Sequence, residues 1–221
     1  MTRLAGADAL ADLDPVFARF AVSGGHNLWN LSHLTVREKA FLCLTADLCH
    51  PHLGLPLAMH VQMARANDVD PESIRELLRH LAPYAGYPIV ASAFQRLTEL
   101  GLPGARDTEA AGPAGLRGGL ARTVQDLREV DPGLAAFTED QLAQRWARPH
   151  LSVRERALAC LAVDVLHQTL GESLHLHADL ARSAGATDDT LRNLLRGMAE
   201  FGLPRVWAAA RALGLPPGSA G

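Results

Sequence analysis

Two histidines, His60 and His177, have the residue type and surroundings for proton transfer in this chain of 221 residues. His60 shares a predicted helix face with Leu57 and Ala64, and His177 stands in the same apolar pattern, so both imidazoles are predicted to point inward. A buried neutral imidazole can act as a general acid or base near neutral pH. We therefore predict that His60 and His177 are catalytic. The alternative for each is a core histidine that only satisfies internal hydrogen bonds.

The remaining histidines and the cysteines are weaker candidates for a functional role. His50 ends a predicted helix, where an imidazolium would stabilise the negative pole of the helix. His175 and His177 are two residues apart on a helix and face different directions, so we predict no metal site there. Cys49 could react as a thiolate beside His50, although leucine stands at the matching position of the second half.

An internal repeat organises the chain around these residues. Shifting the sequence by 117 positions aligns residues 13–82 with 130–199 without a gap, and 26 of those 70 positions are identical. The chain is therefore interpreted as a tandem duplication. We predict a first repeat over 1–100, a linker over 101–119 that is rich in Gly, Pro and Ala, and a second repeat over 120–221.

Each repeat is predicted to be helical. Thr35 with Glu38, and Ser152 with Glu155, have the spacing of capping boxes, in which the hydroxyl accepts the N3 amide hydrogen and the carboxylate reaches back. Further helices are predicted at 55–67 and 172–184, after Asp70 and Thr187, and after Gly86 and Gly202. No segment shows the sustained alternation of a strand. The predicted fold class is all-α, with two similar helical units related by a pseudo-two-fold axis.

Composition and charge exclude several classes of protein. The net charge is −3 and there is no basic cluster, so neither nucleic acid nor a membrane surface is expected as the main partner. No run approaches the roughly 20 apolar residues of a membrane span, and the first residues do not resemble a secretion signal. Three cysteines cannot pair completely, which fits free thiols in a reducing compartment. We expect a cytoplasmic protein.

The chain resembles the carboxymuconolactone decarboxylase family, within the alkylhydroperoxidase D-like superfamily. The resemblance covers both repeats and lies in the capped helix at Thr35-Val-Arg-Glu, the single histidine of the next helix, and the ending Tyr84-Ala-Gly-Tyr-Pro. It implies the alkylhydroperoxidase D-like fold and a homo-oligomer, here a trimer of fused units. The redox branch of the superfamily carries C-x-x-C-x-x-x-H, but Leu53 and Pro56 hold those cysteine positions. A peroxidase of that type is therefore disfavoured.

The resemblance also implies a reaction. It indicates an enzyme that needs no cofactor and acts on a small carboxylated lactone or a related enolisable compound. Decarboxylation, isomerisation and cyclisation all need an enolate to be stabilised and a proton to be moved, and a histidine on an apolar face suits the second task. The alternative is a non-catalytic subunit for small-molecule binding or assembly, which need not have an enclosed cavity at either histidine.

We rank His60 ahead of His177. The first repeat keeps the fuller family ending with Tyr84, whereas the second has lost this tyrosine at Glu200-Phe-Gly, which suggests a partly structural role for the second site. The first repeat is also predicted to place several polar side chains around His60. The full set of predicted substrate-binding residues is Trp29, Cys49, His50, His52, His80, Tyr84 and Arg148.

Overall fold

The computed structural model describes residues 6–102, 104, 116 and 118–216, and these residues form helices and no strands. The predicted all-α class is confirmed. Most of the predicted linker over 101–119 lies outside the described residues. The helices of the first half are α1 (Ala7–Leu13), α2 (Pro15–Trp29), α3 (Val36–Cys49), α4 (Leu55–Ala66), α5 (Pro71–Ala85) and α6 (Tyr87–Glu99).

The second half repeats this order of helices. A short 3₁₀ helix over Ala199–Phe201 separates its last two α-helices. In the part of the chain that the structure describes, no helix is both long and apolar enough to cross a membrane. The helices are α7 (Gly118–Val130), α8 (Pro132–Trp146), α9 (Val153–His167), α10 (Glu172–Ser183), α11 (Asp188–Met198) and α12 (Leu203–Leu213).

The helices begin where the sequence supplies side-chain caps. The Thr35 hydroxyl accepts from the Glu38 amide at 3.1 Å, and the Glu38 carboxylate accepts from the Thr35 amide at 2.7 Å. Ser152 and Glu155 form the same box, with the corresponding distances at 3.2 and 2.7 Å. Because each box satisfies amides that the first helical turn leaves unpaired, both predicted capping boxes and the starts of α3 and α9 are confirmed.

Helices α3 and α9 form the centre of the molecule and pack against each other. Most residues of both helices are buried, 11 of 14 in α3 and 11 of 15 in α9, including polar ones such as Asp47 and Asp164. A helix buried on all sides has no solvent-facing stripe, so its polar residues must find partners inside the protein. The central pair thus brings buried carboxylates from both halves into the core.

Matched ion pairs join the two halves at this centre. Arg37 Nε donates to Glu155 at 2.5 Å, and Arg154 Nε donates to Glu38 at 2.6 Å. Each arginine therefore holds the capping glutamate of the opposite half. The same contact made in both directions is what two units related by a pseudo-two-fold axis require.

Candidate active site

A histidine–aspartate pair lies between α3 and α4. His60 Nδ1 is 2.8 Å from Asp47 Oδ2; the Asp47 side chain is 2% exposed and the His60 side chain 16% exposed. Burial raises the pKa of Asp47, while the hydrogen bond and charge of His60 oppose that effect. Because a carboxylate accepts, the imidazole donates through Nδ1 and leaves Nε2 for chemistry.

The second half contains the same pair between α9 and α10. His177 Nδ1 is 2.6 Å from Asp164 Oδ2, and both side chains are nearly completely buried. The other Asp164 oxygen accepts from the hydroxyls of Thr169 and Ser173, each at 2.6 Å. Asp164 therefore accepts from three side chains. Within the described residues, the matching Asp47 accepts a side-chain hydrogen bond from His60 alone.

Each histidine faces a segment that comes from the opposite half. The end of α5 brings Tyr84 to His177, with ring centres 5.5 Å apart in an edge-on arrangement. The 3₁₀ helix brings Phe201 to His60, with ring centres 6.0 Å apart. Glu200 precedes Phe201 and lines the same space as His60. The two halves therefore complete each other's sites.

A cavity of about 70 Å³ reaches His60. It shares part of its lining, including His60 and Glu200, with a cleft of about 540 Å³. Glu200 as a whole residue is exposed, but burial of its carboxyl group raises its pKa. The charge of His60 opposes this increase, and the charge of Asp47 adds to it. The cavity lining is mainly apolar and consists of Ala7, Leu10, Ala21, Val22, Gly25, Trp29, Cys43, Met59, His60, Met63 and Glu200.

Two histidines and an arginine lie at one edge of the cleft. His50 and His52 line it, with ring centres 6.1 Å apart, and the Arg205 guanidinium contacts His50 Nε2. Burial lowers the pKa of His50, and the charges of Arg205, His52 and His167 lower it further. The ion pairs found among the described residues do not include Arg205. Arg205 therefore carries a positive charge behind His50, and no carboxylate of the described residues pairs with it.

The predicted substrate-binding residues divide between the two sites. Trp29, His50 and His52 lie at the His60 cavity and cleft. His80 and Tyr84 lie at His177 and do not surround His60, because the last turns of α5 cross to the other half. Sequence proximity alone does not show this crossing.

Cys49 and Arg148 are held by other contacts. Cys49 packs beside both large apolar clusters, and burial raises its thiol pKa to about 12. Arg148 Nε donates to the fully buried Glu76 at 2.9 Å, and Arg156 donates to the same carboxylate at 3.2 Å. Both residues are therefore integrated in the packed interior around the two sites.

Three residues that sequence reasoning did not select belong to the His60 site. Asp47 carried a usable signal, because it is duplicated as Asp164 at the same 13-residue distance before each histidine. Glu200 and Arg205 carried none, because they belong to the second repeat and are unlike their counterparts in the first. No group of three or more His, Cys, Asp or Glu side chains suited to a metal ion occurs within 6–102, 104, 116 and 118–216.

Comparisons with known proteins agree with this architecture. A crystal structure described as that of a "putative gamma-carboxymuconolactone decarboxylase subunit" from Burkholderia xenovorans has a TM-score of 0.52 and 22% identity, over 94% of this chain and 88% of that one. That likeness shows the fold. Comparison with curated proteins gives no match. The model of the carboxymuconolactone decarboxylase family matches residues 15–99 and 132–214, once in each half, so the chain belongs to this family as a tandem duplication.

Proposed function

We propose that the chain is an enzyme that uses no cofactor and moves a proton on a small carboxylated lactone or a related enolisable compound. The observation that carries the proposal is the Asp47–His60 pair at an apolar cavity that also contains Glu200. Decarboxylation, isomerisation and cyclisation of such a compound all pass through an enolate or its equivalent. The cavity supports an enzyme over a purely structural subunit, which would not need one.

Each group has a chemical role in this proposal. Asp47 accepts the Nδ1 hydrogen and fixes the ring of His60, so that Nε2 can take a proton from carbon or return one. Glu200, with its raised pKa, retains its proton to higher pH than an ordinary glutamate and can donate it to the developing enolate oxygen. A base and an acid on one cavity are what an enolisation requires.

Arg205 and the two histidines at the edge of the cleft give the substrate carboxylate a place to bind. Arg205 supplies a permanent charge, and His50 and His52 add hydrogen-bond donors beside it. The apolar lining around Trp29 would hold the ring and exclude water, which strengthens every electrostatic contact in the cavity.

We assign the reaction to His60 and not to His177, whose side chain is 3% exposed and whose ring is covered by Tyr84. Thiol peroxidase chemistry is disfavoured, because burial raises the thiol pKa of Cys43 and Cys49 and so suppresses the thiolate. The free thiols remain compatible with the cytoplasmic location that the sequence predicts.

The test follows the proton and does not require the final product to be known. A panel of carboxylated lactones, beginning with carboxymuconolactone, is incubated with the enzyme in deuterium oxide, and NMR records deuterium incorporation, ring opening and loss of carbon dioxide. His60→Ala should lower turnover by roughly 10²–10⁴-fold, the usual effect of losing a general acid or base. His175→Ala, which removes an exposed histidine of α10, is the matched control. Full turnover by a folded His60→Ala variant would refute the assignment, and no turnover by wild type on any compound would favour the binding-subunit alternative.

We also propose that the protein is a homo-oligomer, a trimer of fused units. Support comes from large apolar side chains that are exposed at matching positions of both halves. Phe20 is 70% exposed and its counterpart Phe137 is 57% exposed. Leu13 and Val130, another matched pair, are 73% and 81% exposed. Exposed apolar patches of this kind mark interaction surfaces, and their duplication fits contacts repeated around a ring.

A further inference from the structure

The surroundings of His60 and His177 can be compared position by position. Trp29, Cys43 and Asp47 at the first site match Trp146, Cys160 and Asp164 at the second, each pair 117 positions apart. The two sites differ in the residue that reaches them from the opposite half. This residue lies two positions before Gly86 at the end of α5, and two positions before Gly202 after the 3₁₀ helix. Glu200 occupies that place at His60, and Tyr84 occupies it at His177.

Tyr84 fills the space in front of His177. Its hydroxyl accepts from Trp146 Nε1 at 3.0 Å, and its ring lies 5.6 Å from that of His80. His80 in turn packs edge-on against Trp146 at 5.1 Å, and its Nε2 is 3.3 Å from Cys160 Sγ. Where the first site has a carboxyl group at a cavity, the second has a phenol ring locked by its neighbours.

The catalytic pair behind this ring is nevertheless fully assembled. His177 is oriented by Asp164, and Asp164 is fixed by Thr169 and Ser173. An imidazole held in this way does not need a ligand to set its tautomer or its direction. The pair is therefore ready for a ligand, and only the space in front of it is occupied.

We propose that the chain carries a latent second copy of the site at His177, which the side chain of Tyr84 plugs. Removing the plug should open a cavity that takes a small neutral ring compound of the size of a phenol. Trp146 and Leu180, which pack with Tyr84 in one apolar cluster, would form its walls. The term second copy rests on the proposed function of His60, but the plug and the cavity do not.

The test uses Tyr84→Ala and p-cresol, which reproduces the tyrosine side chain. Calorimetry and thermal unfolding should show that the variant gains one p-cresol site per chain relative to wild type, since apolar cavities left by truncation bind small aromatic compounds. Tyr84→Phe keeps the ring and should gain no site. Glu200→Ala changes the matched position at His60 and should not create a site at His177. Tyr84→Leu, which removes less volume, replaces Tyr84→Ala if that variant does not fold.

A second measurement reports directly on His177. Diethyl pyrocarbonate modifies accessible imidazoles, and fragmentation in the mass spectrometer assigns each modification to His60, to His177 or to a neighbour such as the exposed His175. In wild type His60 should react while His177 is protected, and Tyr84→Ala should raise the rate at His177 at least about tenfold as the ring becomes reachable. Folded variants that bind no p-cresol and keep His177 protected, or a wild type in which His177 reacts as fast as His60, would overturn the proposal. Neither readout depends on turnover, so such a result would leave the proposed function of His60 untouched.

Discussion

The two histidines should contribute very differently to stability, although both are paired with an aspartate. The His177 and Asp164 side chains are 3% and 4% exposed, so His177→Ala removes a buried charge-assisted partner and leaves a carboxylate in the core. Breaking a buried pair in this way costs about 3–5 kcal/mol. The hydroxyls of Thr169 and Ser173 still bind the other carboxylate oxygen, which favours the lower part of that range.

His60→Ala should be milder. The His60 side chain is 16% exposed and borders a cavity that opens to the surface, so water can reach the vacated position and solvate Asp47. We expect a loss of about 1–2 kcal/mol, in the range of a hydrogen bond to a charged group that water partly replaces. In a protein of this size about 1 kcal/mol moves the melting temperature by roughly 2–4 °C. The melting temperature should therefore fall by roughly 6–20 °C for His177→Ala and by roughly 2–8 °C for His60→Ala.

The comparison is made by circular dichroism during heating and by urea unfolding, at one protein concentration and one pH. His175→Ala, on the exposed side of α10, is the control and should change the free energy of unfolding by less than about 0.5 kcal/mol. Equal losses at the two sites, or a larger loss at His60, would show that His177 is not the structural member of the pair. That result would also weaken the argument that Tyr84 seals the second site.

Two further predictions concern the surface and the cleft. The double variant Phe20→Glu and Phe137→Glu should dissociate the assembly, and light scattering after size exclusion should then give the 23.7 kDa mass of one chain. If the variant and the wild type have the same mass, a ring built on these faces is contradicted. The pKa of Glu200 is raised above its ordinary 4.5 in the folded protein. Ionisation of Glu200 therefore lowers stability as the pH rises from the pKa of the unfolded state through that of the folded state. In urea unfolding, Glu200→Gln should therefore be more stable than wild type at pH 8 and equally stable at pH 4. The variant should also lose turnover. If its free energy of unfolding does not rise at pH 8, the ionised carboxylate is already well solvated or paired in the folded protein.

Features set by neighbours in sequence could be predicted well. Thr35 and Glu38 are three residues apart, and their interaction depends only on the backbone of one helical turn, so the capping box is evident before the fold is known. The repeat added a second, independent copy of each helix start. Together these local signals predicted the all-α fold and the starts of α3 to α6 and of α9 to α12, whereas α1, α2, α7 and α8 were not predicted.

The site was predicted less completely, because it is assembled across the axis between the halves. Tyr84 and His80 lie on the same repeat as His60, yet α5 delivers them to His177. Glu200 lies on the same repeat as His177 and lines the cavity of His60. One sequence carries no measure of which half a helix end will face, so the sequence assigns Tyr84 and His80 to His60, whereas the structure places them beside His177.

The end of α5 and the 3₁₀ helix each reach the histidine of the opposite half, and this exchange has a consequence for how the protein can evolve. In a dimer of identical chains, one codon specifies the residue in front of both histidines, so any change at that place alters both sites together. In the fused chain the two places are encoded separately, as Glu200 and Tyr84. The His177 site can then be filled by a packed side chain that stabilises the molecule. The His60 site can keep its cavity and its carboxyl group and change with the substrate.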